Sequence, residues 1–326
     1  MKRLLVIRFS ALGDVAMLVP VIHQLAITFP DWQVTILSRK QVSSLFDNMP
    51  TNVLFYGADL KGKHKGIKGL NRLLHDIHYE QFDAVADMHD VLRTKWICWR
   101  MKFSGLRVAS IQKGRIEKWL LTHTHYKKAL PTSIQRYMDV LHRLGFDFSL
   151  SISSSKETLK RVGFGIAPFA AHKGKIYPLE KMETIVQEID KIGEPIYLFG
   201  AGQKEKTILD QWAKKYKNAC SLVGQHTLPE EIEIMRHLRC MITMDSANMH
   251  LASIVGTRVL SIWGATHPNA GFTGWGQNSE DCIQREDLPC RPCSIYGNKK
   301  CKFSDYRCLS ISPQTIIERV YAITQS

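Results

Sequence analysis

No apolar stretch in this sequence approaches the roughly 18–20 residues that a membrane-spanning helix requires. The apolar run Leu4–Ile7 is broken at once by Arg8 and is too short for a secretory leader, so the expectation is a cytoplasmic protein. Phosphate-binding glycine loops are missing too: neither G-x-G-x-x-G nor G-x-x-x-x-G-K-[ST] occurs. A phosphate must then be held by other means. Acidic residues are also scarce, with 30 Asp and Glu against 44 Lys and Arg, a net charge of +14.

The imbalance is uneven. Residues 1–157 hold 23 basic side chains against 13 acidic ones, and residues 158–326 hold 21 against 17, which assigns an anionic partner to the first half. Lys61, Lys63, Lys65, Lys68 and Arg72 form one basic run. Residues 91–138 carry eleven basic residues and a single acid, Glu117, with Trp96, Trp99 and Trp119 interleaved. Such a pattern suits a membrane surface, a phosphorylated amphiphile or nucleic acid, or is a solvated basic face. No recognisable nucleic-acid motif accompanies it, so nucleic acid is not the expected partner.

At 326 residues and 44% apolar content the chain is long for one core, and two α/β domains are expected, residues 1–155 and 156–326. The serine-rich 151–160 segment reads as the linker. The stretch Ile242–Gly264 organises the second half. A short apolar strand ends at Thr243, Asp245 and Ser246 supply turn and cap chemistry, and a helix runs to Gly256 before the next strand, Arg258–Trp263. The turn of such a βαβ unit lies at the carboxyl edge of a parallel sheet. Asp245, Ser246, Ala247 and His250 near a helix N-terminus suit a phosphate and a ribose hydroxyl, or form an ordinary cap followed by a helix histidine.

The first half alternates in the same way. Strands are expected at Arg3–Ile7, Gln33–Ser38, Val53–Tyr56 and Ala84–Met88, with helices beginning near Val15 and at Leu70–Ile77. Alternating strand and helix calls for parallel sheets with helices on both faces. Asp14, directly after Gly13 in the turn that follows the first strand, is a candidate general base, a hydroxyl ligand or a helix cap. In the second half, strands are expected at Val162–Pro168 and Pro195–Phe199. Lys173 and Lys175 sit in a loop past the first of these, and Thr227-Leu228-Pro229-Glu230 reads as a helix start with a capping pattern.

Six of the eight cysteines follow residue 239, and Cys290, Cys293, Cys301 and Cys308 are spaced C-x2-C-x7-C-x6-C. The first pair has zinc-knuckle spacing, but the second is not a CxxC, so a metal, free thiols and a disulfide all remain open. Cys98, Cys220 and Cys240 read as buried small apolar residues.

Two long motifs, RFSALGDVAMLVPVI near the start and DSANMHLASIVGTRVLSIWGATHP in the second half, resemble glycosyltransferase family nine, the ADP-heptose:lipopolysaccharide heptosyltransferases. Lys175-Ile176-Tyr177-Pro178 is similar to that family's lysine-aromatic-proline signature, and DMHDVLRT at 87–94 to its mid-domain motif. Ala170 and Ala171 stand where the family commonly has hydroxyl residues. The resemblance implies a GT-B fold of two facing Rossmann-like domains with parallel sheets, the terminal helix Pro313–Thr324 packing back across the first domain, and an inverting, metal-independent transfer of heptose from ADP-heptose to the inner core of lipopolysaccharide, with no cofactor. Peripheral contact with the inner face of a membrane would follow. It further implies catalytic roles for Asp14 as base and Lys175 at the donor phosphates. Ser10, Gly13, Thr227, Leu228, Asp245, Ser246, Ala247 and His250 would bind the donor. Arg93, by the same resemblance, and Lys61 and Lys63, by their place in the basic run, would bind the anionic acceptor.

Overall fold

The structure, a computed structural model, describes residues 1–124, 128–150 and 160–325. Its contacts divide the chain into two units, Met1–Lys113 with Ser133–Ile152, and Gly114–Thr132 with Ser153–Ser326. The stretch expected as a linker lies, apart from Lys160, outside the described residues.

In the first unit β1 (Lys2–Ile7), β2 (Trp32–Arg39), β3 (Val53–Ala58), β4 (Ala84–Asp87) and β5 (Arg107–Ser110) form a parallel sheet in the order β3-β2-β1-β4-β5. Leu4 to Ile7 of β1 are fully buried, as a central parallel strand covered on both faces must be. One face is covered by the Gly66–Asp76 and Leu92–Phe103 helices, whose Leu70, Leu73, Leu74, Ile97, Cys98 and Met101 join Leu5, Ile7 and Val85 in one core. The helix expected near Val15 is divided into Leu12–Ala16 and Leu18–Thr28.

The second unit repeats the plan with β6 (Phe164–Ala167), β7 (Ile196–Leu198), β8 (Ala219–Ser221), β9 (Cys240–Met244), β10 (Arg258–Trp263) and β11 (Cys282–Gln284), all parallel, in the order β11-β10-β9-β6-β7-β8. The terminal helix Pro313–Gln325 buries Ile316, Ile317, Val320 and Ile323 in this unit's core, where it packs on the Leu179–Asp190 helix.

One boundary differs from the expectation. Gly114–Thr132, expected within the first domain, belongs by its contacts to the second unit. Leu121 and Leu130 form an apolar cluster with Ala270, Phe272 and Ile295, the Leu130 N–H donates to the Asn269 carbonyl at 2.8 Å, and Lys118 lies 4.7 Å over the Phe272 ring. No periodicity in 114–132 announces these partners, since all of them lie well over a hundred residues further on. Among the described residues no helix is long and apolar enough to cross a membrane.

Candidate functional site

In an open parallel sheet, ligands bind beyond the carboxyl ends of the strands where the order of strand addition reverses. In the first unit that point lies between β1 and β4, with Ile7 opposite Asp87. The two segments that emerge there touch. Arg8, almost completely buried, donates from one side to the Met88 carbonyl, and its Nη2 lies 2.6 Å from Asp14 Oδ2. The Tyr137 hydroxyl donates to the Asp14 backbone carbonyl at 3.0 Å, and its ring stands 5.5 Å from the Arg8 guanidinium. The Ala11 N–H also reaches Asp14 Oδ2, at 3.3 Å, so the capping role and the ion pair coexist in one carboxylate. An opposite charge this close favours the ionised form of a carboxylate, the form a general base needs.

His89, from the β4 side, accepts the Phe9 N–H at Nδ1 (3.4 Å) and places Nε2 3.3 Å from the Ser10 hydroxyl. Burial, reinforced by the positive charges of Arg8 and Lys113, pushes its imidazole down to about 4, so it is neutral at physiological pH. Asp87 shapes the turn: its Oδ1 accepts the N–H groups of His89 at 2.9 Å and Asp90 at 3.0 Å. Burial raises the Asp87 carboxyl above the ordinary carboxylate range.

The expected acceptor-binding lysines lie in a built loop. Asp59 accepts the N–H groups of Gly62 and Lys63, and buried His64 reaches Asp76 at 3.0 Å. Lys63 is committed to Asp76 at 2.6 Å, which with His64 holds that carboxyl at about 2, while Lys61 is exposed. Arg93 is exposed in the first turn of the Leu92–Phe103 helix. Gly13 is buried inside the Leu12–Ala16 turn, among the packing that holds Asp14.

In the second unit the order reverses between β6 and β9, with Ala167 opposite Thr243. Lys175 follows β6, Asp245 follows β9, and the structure joins them: Lys175 Nζ is 3.0 Å from Asp245 Oδ2, with the lysine side chain 15% and the aspartate 7% exposed. Ser246 begins the Ala247–Ile254 helix, yet its hydroxyl lies 3.1 Å from the Thr243 hydroxyl and makes no cap bond. The helix's first N–H groups are thus not satisfied by that side chain and point to where an anion would sit. His250 is buried one turn further on. Thr227 does start a helix, Leu228–His237, and its N–H and hydroxyl both bond Glu230 Oε2, at 2.7 and 2.9 Å.

Lys175 is held from an unexpected direction. Gly297 lies against its stem with φ +74, and a Cβ there would come within 2.4 Å of the Lys175 Cγ. The Gly174 carbonyl accepts the Ala265 N–H at 2.8 Å. Arg291, buried within the CRPC motif, donates to the carbonyls of Gly264 at 2.6 Å and Thr266 at 2.9 Å, fixing the end of β10 on which Gly174 rests. A buried guanidinium with several donors suits this role because each carbonyl would otherwise be left unpaired. The cysteine-bearing segment therefore supports the lysine. All eight cysteines are free thiols, and among the described residues no group of His, Cys, Asp or Glu is placed to hold a metal ion. Cys98 and Cys240 are buried as expected, whereas Cys220 is exposed, because β8 is a short edge strand. A cavity of about 580 Å3 lies beside β11, lined by His267, Gln277, Gln284 and Arg285 among others, and none of the expected donor residues lines it.

Sequence reasoning missed Arg8, His89 and Arg291. Arg8 was visible only as the charge that ends the β1 apolar run, and His89 lay unremarked inside DMHDVLRT. Arg291 was overshadowed by the cysteines on either side of it.

Two parallel sheets in separate units, each with a charged pair at its switch point, are the α/β halves of a GT-B fold. The solved structures agree in fold. The glycosyl transferase family 9 protein from Veillonella parvula superposes with a TM-score of 0.74 at 19% identity, covering 100% of this chain and 98% of that one. The E. coli ADP-heptose lps heptosyltransferase II does so at 0.68 and 16% identity, covering 99% and 98%. In sequence, lipopolysaccharide heptosyltransferase 3 of Escherichia coli (strain K12) is 26% identical over 291 residues, 82% of this chain and 83% of the relative. The family model for glycosyltransferase family 9 (heptosyltransferase) matches residues 70–304, and the chain belongs to that family.

Proposed function

We propose that this protein transfers heptose from ADP-heptose to the lipopolysaccharide core with inversion, the first unit holding the acceptor and the second the donor. The observation that carries the reading is the Lys175–Asp245 pair beside the N-terminus of the Ala247–Ile254 helix. Departure of ADP builds negative charge on the β-phosphate, and an ammonium group together with unspent helix N–H groups stabilises that charge more in the transition state than in the ground state. In this proposal these groups, rather than a divalent ion, stabilise the leaving group. Asp245 holds the ammonium in place until phosphate arrives, and it is available to a ribose hydroxyl thereafter.

Asp14 removes the proton from the acceptor hydroxyl, whose oxygen attacks the anomeric carbon on the face opposite the departing ADP. Arg8 orients that carboxylate. Lys61 and Arg93 meet the acceptor's anionic groups. Two of the named relatives, both from E. coli, are lipopolysaccharide heptosyltransferases by name, which supports an acceptor anchored in a membrane and a cytoplasmic enzyme working at its surface.

The test is a donor panel. Purified protein is given ADP-heptose, or GDP- and UDP-sugars, with heptose-deficient core acceptor, with and without EDTA, and nucleotide release is followed with product mass. Release of ADP alone, with a heptose added to the acceptor and no loss in EDTA, is the expected result. Turnover of a uridine or guanosine donor instead, or complete loss in EDTA, would overturn the donor or the metal-independent part of the reading.

A further inference from the structure

The Leu92–Phe103 helix carries two apolar stripes, one buried in the fold and the other, apart from half-buried Trp96, exposed. At about 3.6 residues per turn, Thr94, Ile97, Cys98 and Met101 share the face buried in the first unit. Leu92, Trp96, Trp99 and Phe103, at spacings of four, three and four, share the opposite face. Leu92 is 87%, Trp99 55% and Phe103 82% exposed. The rings form a continuous row, with Trp96 and Trp99 centroids 5.4 Å apart and those of Trp99 and Phe103 6.0 Å apart.

The same wheel puts Arg93 and Arg100 along one side of this stripe and Lys95 and Lys102 along the other. The helix has no acidic residue. Lys95 meets Asp90 at 3.3 Å, and among the described residues Arg93, Arg100 and Lys102 are in no ion pair. The neighbouring Gly66–Asp76 helix is tied on by the Trp96 indole N–H, which donates to Asn71 Oδ1 at 3.0 Å, and it adds exposed Ile67, Lys68 and Arg72.

We propose that this outer face is a docking surface for an anionic lipid bilayer. Aromatic rings flanked on both sides by long cationic side chains match the headgroup boundary, where the rings enter the acyl edge and the cations remain with lipid phosphates. A protein partner would need matching acids around an apolar groove. A bilayer with anionic lipid supplies both chemistries without shape complementarity. The exposed members of the stripe, Leu92, Trp99 and Phe103, lie opposite the face that packs on the sheet, while half-buried Trp96 ties the row to the core. This surface gives the enzyme's proposed lipid-anchored acceptor a location, and it rests on that reading only for its purpose.

The experiment is co-sedimentation of the full chain with vesicles of phosphatidylethanolamine containing phosphatidylglycerol, and with phosphatidylcholine vesicles, without any sugar donor. The wild type should bind the anionic vesicles, lose binding as salt rises, and ignore the neutral ones. Trp99→Ser with Phe103→Ser should weaken binding about tenfold or more, as should Arg100→Glu with Lys102→Glu. Both variants should keep the wild-type melting temperature and the wild-type rate on a lipid-free core oligosaccharide. If the Trp99 change lowers folding, Phe103→Ser alone carries the test. Equal binding by folded variants, equal binding to neutral vesicles, or loss of a concentration-dependent dimer in place of vesicle binding would overturn the proposal. Because no transfer is measured in the vesicle assay, failure of the heptosyltransferase reading would leave its outcome unchanged.

Discussion

The two switch points are built alike and charged in opposite senses. In the first unit the cation is the buried partner: the Arg8 side chain is 9% exposed, and the carboxylate of Asp14, at 28%, is the accessible group. In the second the acid is buried and the lysine is the more accessible partner. One architecture thus leaves a carboxylate the more accessible member in one unit and a lysine ammonium the more accessible member in the other, and packing decides which partner of each pair is hidden. Burying one charge carries a desolvation cost that its partner offsets in part, and it leaves the other charge the more accessible of the two.

The sharpest way to break the comparison is at Asp14. Asp14→Asn should lower kcat by roughly 10²–10⁴-fold with ADP affinity by calorimetry unchanged, since the amide cannot take a proton. A parallel loss of ADP affinity would mean that the two units do not divide the work as argued. The melting temperature of the variant guards against a simple packing loss, because Arg8 is then left without its partner.

The reciprocal change, Lys175→Met, should reduce kcat/KM by about 10²–10³-fold, and here ADP affinity should fall as well. Titration with ADP separates the two variants.

A smaller effect is expected at the support. Gly297→Ala puts a methyl group into the Lys175 stem on a backbone with positive φ, and should cost about tenfold in kcat/KM through displacement of the ammonium group. Methyl insertion at Gly193, which has open space around it, provides a control for backbone strain alone.

The smallest effect concerns His89. Its folded value of about 4 lies below the ordinary histidine value near 6.5, so the unfolded chain binds the extra proton first. Stability is therefore intact above about pH 6.5 and is lost as pH falls from there toward 4. His89→Gln should flatten that part of a melting-temperature curve by a few degrees and leave the region above pH 7 unchanged. An unaltered acid slope would show that the imidazole is not held neutral by its surroundings.

Much of the fold was legible because parallel strands buried on both faces must be apolar along their length. β1, β4, β9 and β10 stood out for that reason, and β10 spans the expected residues, Arg258–Trp263. The strands that escaped notice, β5, β8 and β11, are short edge strands and only partly buried, so they lack the continuous apolar run that marks an equally short central strand such as β4 or β6. The Leu92–Phe103 helix escaped for a different reason: its two apolar stripes lie on opposite faces, so its residues look apolar all round and basic all round at once.

The sequence by itself determined the two α/β halves, the excess of positive charge in the first, and the candidates Asp14, Lys175 and Asp245, because strand burial, turn chemistry and charge are local properties of neighbouring residues. Only the tertiary structure decided that Lys175 pairs with Asp245, that Arg8 backs Asp14, that Arg291 supports the lysine loop, and that Gly114–Thr132 joins the second unit. Those partners are brought together by the order of strands in each sheet and by packing across long stretches of chain, and distance along a sequence carries no record of either.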